Sequence, residues 1–155
     1  MSVEVLYPSS RMPVCDLVGI VVAETQLCGI INNCPLRRRA VPYYPMDLYQ
    51  NSNRRLRVYI RDGNLNIVDL TGATVVFTVK LQKSDAVVTI QKSTDNPAEG
   101  LIGSADQGEC FFLLVPADTV SLDICQYVYD VKVTLDDGNS YTTVEGVLNL
   151  LQPVN

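Results

Sequence analysis

The segment from Gln126 to Leu151, QYVYDVKVTLDDGNSYTTVEGVLNLL, holds the pattern that decides the fold. Tyr127, Tyr129, Val131, Val133 and Leu135 fall at every second position, and a second alternating run starts at Ser140. A period of two is that of a strand with one buried face and is hard to obtain from a helix. Between the runs lies Asp136-Asp137-Gly138-Asn139. Asp-Gly between alternating runs is a strong hairpin signal, because Gly and Asn tolerate the positive φ of primed turns. The acids also invite a cation-site or acid/base reading. A calcium loop of EF-hand type, however, needs oxygens at alternate positions over about twelve residues and a closing Glu. Here the chain goes straight on into Ser140-Tyr141-Thr142. The loop is therefore read as a turn, and so is Asp62-Gly63-Asn64, which has the same chemistry.

Working outward, the same period recurs from Arg54 onward with turn residues every eight to twelve positions. RRLRVYIRDGN sets Leu56, Val58 and Ile60 against arginines, and ATVVFTVKLQ puts Ala73, Val75, Phe77, Val79 and Leu81 on one face. AVVTIQK reads as a shorter strand, Gly100–Ala105 as a weak one, and ECFFLLV as a buried one, followed by a short helical turn at Pro116-Ala117-Asp118-Thr119. Short strands at this spacing predict an all-β, immunoglobulin-like antiparallel β-sandwich of about seven strands. It is assigned to residues 48–155, its strands running over about 48–152. Residues 1–47 are broken by prolines at 8, 13, 35, 42 and 45 into pieces too short for a core of their own, and they are read as an extended N-terminal arm. Their apolar middle requires a surface to dock on, in the same domain or in a neighbouring subunit. Deleting residues 1–40 is expected to leave a soluble, folded sandwich that no longer assembles.

Charge divides the chain in the same way. Residues 1–61 hold eight arginines and four acids, net +4, while residues 62–155 hold four lysines and thirteen acids, net −9. The overall charge of −5 argues against general nucleic-acid binding. In CPLRRRAVPYYP, three consecutive arginines precede two tyrosines. Those residues offer phosphate contacts and stacking rings. They equally suit protein docking, since Arg pairs bidentately with carboxylates and Tyr is enriched at interfaces, and docking is the reading taken. The candidate partner interface is Leu17, Ile20, Val21, Ile30, Arg37, Arg38, Arg39, Tyr43, Tyr44, Arg54 and Arg55. In it the apolar residues bury against a partner, and the arginines pair with acidic faces of other copies or of another protein.

The absence of histidine removes Ser-His-Asp and Cys-His catalysis and His-containing zinc sites. The acids of the second part are scattered over turns and polar strand faces with no activated nucleophile beside them. The chain reads as non-enzymatic, with no cofactor and no metal. Five cysteines without a C-x-x-C pair predict reduced, mostly buried thiols. A Cys110–Cys125 bridge would require their strands to stack across the sandwich. The apolar run Leu17–Ala23 is far shorter than the roughly 20 residues a membrane span needs, so no membrane partner is expected.

VDLTGATVVFTVK (68–80), GECFFLLVPADTVSL (108–122) and QYVYDVKVTLDDGNSYTTVEGVLNL (126–150), taken in order, resemble a domain of tailed-bacteriophage virions. The likeness is to the immunoglobulin-like sandwich at the N-terminus of baseplate upper proteins and to related tail, fibre and head modules. It implies a structural component of the virion, in the tail, the baseplate or a fibre attachment, whose partners are other virion proteins and further copies of itself in a symmetric homo-oligomer. The likeness stops at the sandwich, and residues 1–47 have no counterpart in it. That leaves capsid decoration (a cement protein) or a neck protein as the alternative. A carbohydrate- or cell-surface-binding module used in adsorption is a reading of another class, and it requires exposed aromatics over a groove.

Overall fold

The computed structural model describes residues 24–31 and 41–154. Leu17, Ile20, Val21 and Arg37–Arg39 of the expected interface lie outside them. The described residues form nine strands: β1 (Glu24–Ile31), β2 (Met46–Tyr49), β3 (Arg54–Asp62), β4 (Thr74–Lys80), β5 (Ile90–Ser93), β6 (Gly100–Ile102), β7 (Glu109–Leu114), β8 (Gln126–Thr134) and β9 (Ser140–Leu151). One helical turn, α1 (Pro116–Thr119), joins β7 to β8. The strands form two sheets, one in the order β1-β3-β7-β6 and the other β2-β9-β8-β4-β5. The chain is an all-β sandwich.

Alternation builds the core between the sheets. Leu56, Val58 and Ile60 of β3 face Val75, Phe77 and Val79 of β4 and Tyr127, Tyr129, Val131 and Val133 of β8, all buried. Phe77 sits at the centre, with its ring centroid 6.0 Å from Phe112 and 5.6 Å from Tyr129, both tilted. Such inclined aromatic pairs add to the stabilisation from burial alone. The β8–β9 hairpin closes as its sequence demands. Gly138 takes φ +91°, Leu135 donates its N–H to the Asn139 carbonyl at 2.8 Å, and the Asp137 carboxylate accepts from Asn139 N and Nδ2. At the second turn the Asp62 carboxylate accepts from Asn64 N and Asn66 N, and Leu65 rather than Gly63 takes the positive φ.

Three expectations are corrected. The sandwich is not confined to residues after 47, because β1 and the start of β2 come from the segment read as an arm. Both are edge strands, and both pair parallel, β1 with β3 and β2 with β9. Among the described residues the sandwich therefore has nine strands rather than about seven, and it is not wholly antiparallel. Second, residues 86–88 are not a strand: Val87 is 76% exposed and β5 begins only at Ile90. Third, not every thiol is reduced, because Cys28 is disulfide-bonded. Cys110 (buried) and Cys125 (exposed) are free and form no bridge with each other.

Candidate functional site

The expected interface residues within the described part fall on two separate faces. On the first sheet, Arg55 and Arg57 project outward from β3 and stack on Phe111, with guanidinium carbons 4.7 and 4.9 Å from the ring centroid. Glu24 of β1 binds both, at 2.8 Å to Arg55 and 3.2 Å to Arg57, and Glu109 binds Arg57 at 3.3 Å. The Arg57 guanidinium also donates to the Tyr59 hydroxyl, and that bond and the neighbouring carboxylates raise its pKa against the cost of burial. Arg54 donates to the Thr25 hydroxyl at 2.8 Å. Arg54 and Arg55 thus clasp the chain's own β1. Ile30 is only 2% exposed, so its side chain is not on offer to a partner.

Tyr43 and Tyr44 lie elsewhere, along the β9 edge of the second sheet. Tyr44 donates its N–H to the Glu145 carbonyl at 2.9 Å, and its own carbonyl accepts the Tyr129 hydroxyl at 2.8 Å. Gly146 makes this possible, because a Cβ there would collide with the Tyr44 carbonyl oxygen. Tyr43 is left 62% exposed at the lip of a cleft of about 150 Å³ on the outer face. Thr78, Lys80, Lys83, Val128, Asp130 and Glu145 line it. Register explains the grouping, since Thr78 pairs with Asp130, Asp130 with Glu145, and Glu145 bridges to Tyr43. Directly paired residues of adjacent strands share a face. Burial, reinforced by Glu145, raises the Asp130 pKa above the ordinary carboxylate range, while Lys80, Lys132 and Lys83 pull it back. Lys83 reaches Glu145 at 3.4 Å. Sequence reasoning identified Tyr43 here but missed Thr78, Asp130 and Glu145, whose proximity depends on register across three strands.

No protein-family model matches this sequence, and no curated protein matches it. Among solved structures, the chain superposes on the N-terminal domain of ORF48 of phage TP901-1 with a TM-score of 0.50. The fold resembles a phage protein domain. Identity over the match is 10%, and the match covers 81% of this chain and 98% of the phage domain. At that identity the likeness is one of fold. It extends over nearly the whole phage domain.

Proposed function

We propose that this protein is a non-enzymatic structural component of a tailed-phage virion, in the tail, baseplate or fibre attachment. The observation that carries the reading is the fold likeness to a phage domain along almost its full length. Exposed apolar side chains at one end of the sandwich support it. Leu81 and Val87 in the β4–β5 loop and Val120 and Ile124 in the β7–β8 loop are each at least 44% exposed. The two loops share an end, because Lys80, the last residue of β4, pairs with Val128 near the start of β8. Solvated apolar side chains grouped in this way suit contact with other virion proteins or further copies of the chain. Capsid decoration or a neck position is the alternative placement within the particle.

Immunogold electron microscopy of purified particles, with an antibody raised against this chain, tests the reading. Label at the tail or its tip is the expected result, and label over the capsid or neck would favour the alternative. If neither label nor peptides of the chain are found in purified particles, the structural role is wrong.

A further inference from the structure

The outer-face row of the second sheet breaks a local rule. Asp130 and Glu145 stand directly opposite each other on β8 and β9. Like charges in that position destabilise a sheet. No hydrogen-bond donor among the described residues reaches the Asp130 carboxylate, although Asp130 is partly buried. Lys83 offsets Glu145 at 3.4 Å, whereas no ion pair among the described residues offsets Asp130, and local conflicts of this kind concentrate at functional sites.

We propose that the cleft binds a neutral sugar residue, a pyranose presented alone or within a glycan. Three features of the lining select that ligand. Lys80 and Lys83 balance Asp130 and Glu145, so the cleft is neutral overall. A phosphate would face the two carboxylates, and a guanidinium or ammonium group would meet the two lysines. A hydroxyl, by contrast, both donates and accepts, so sugar hydroxyls satisfy Asp130 and Glu145 as acceptors and the lysines and Thr78 as donors. The exposed Tyr43 ring at the lip supplies an apolar platform for the C–H face of the ring. The volume of about 150 Å³ suits one ring with its hydroxyls and is below the roughly 300–1,000 Å³ of sites for larger ligands. The site does not depend on where in a particle the chain sits.

The test is a titration of the isotopically labelled full chain with the methyl glycosides of glucose, galactose, mannose and N-acetylglucosamine, each to about 100 mM, followed by amide shifts. At least one sugar should shift residues 43–44, 78–80, 128–130 and 145–147 selectively, with a dissociation constant on the order of 1–10 mM. Tyr43→Ala and Asp130→Asn should each weaken that binding about tenfold or more, with melting temperatures showing that both variants remain folded. The proposal falls if no sugar shifts these residues, if both variants bind like the parent, or if N-acetylargininamide shifts them and the sugars do not.

Discussion

Asp130 links the stability of the sheet to its surface chemistry. Its folded pKa is raised, mainly by burial and then by Glu145. The native state therefore binds this proton more tightly than the unfolded chain, and stability falls as pH rises through the ordinary carboxylate range toward the raised value. At neutral pH the charged form is the disfavoured one, so Asp130→Asn should raise the melting temperature, by at most a few °C for a domain of this size. Below about pH 3, where Asp is protonated in both states, the difference should vanish. Thermal melts of parent and variant at pH 7 and pH 3 measure this, and an equal gain at both would assign the effect to packing. Gly146 works in the opposite direction. Gly146→Ala drives a methyl into the Tyr44 carbonyl and breaks the Tyr129–Tyr44 bond, which should cost about 2–3 kcal/mol in urea unfolding.

β1 contributes more than an edge. Leu27 and Ile31 enter the core, eight residues pair with β3, and Gly29 lies so close to Thr143 that a Cβ would sit 2.8 Å from its hydroxyl. Removing residues 1–40 therefore takes away two side chains of the core between the sheets, worth about 3–6 kcal/mol by burial alone, and unpairs the β3 edge. The expectation of an intact sandwich after that deletion is revised: the 1–40 truncation should unfold at markedly lower urea than a 1–23 truncation, which keeps every described strand. Equal midpoints for the two would mean that β1 adds nothing to the core. The sequence hid this strand for a physical reason. Its outward residues Cys28 and Ile30 are buried as well as its inward ones, and a strand buried on both faces reads as a continuous apolar run without alternation. The β8–β9 hairpin was legible because the buried Tyr127, Tyr129, Val131 and Val133 alternate with mostly polar outward residues on β8 and its turn holds Gly138. At residues 86–88 the β-branched run misled, because propensity alone forms no strand where no neighbour pairs with it. The cleft was illegible for another reason: Tyr43 and Glu145 are 102 positions apart, and only register brings them together.

The two sheets share a liability that acts on the fold as a whole. Cys110 lies in the first sheet and Tyr127 and Tyr129 in the second, all three buried. Burial pushes each above its ordinary value of 9.0 for the thiol and 10.0 for the phenols: Tyr127 to about 12, and Cys110 and Tyr129 further. The folded chain keeps protons that the unfolded chain releases. These three groups should thus leave stability level between neutral pH and about pH 9 and lower it as pH rises through the unfolded values toward the folded ones. Cys110 and Tyr129 would each remove about 1.4 kcal/mol per pH unit above its ordinary pKa. Both sheets contribute, so the loss should appear as one cooperative transition moving to lower urea, not as the melting of one sheet before the other. Tyr129→Phe separates this linkage from simple packing. Without the hydroxyl that Tyr44 accepts, the variant should be about 1 kcal/mol less stable at pH 8, yet lose less stability than the parent between pH 9.5 and pH 11. Urea unfolding at the three pH values decides the matter, and parallel slopes for the two proteins would show that the buried phenol does not govern alkaline stability.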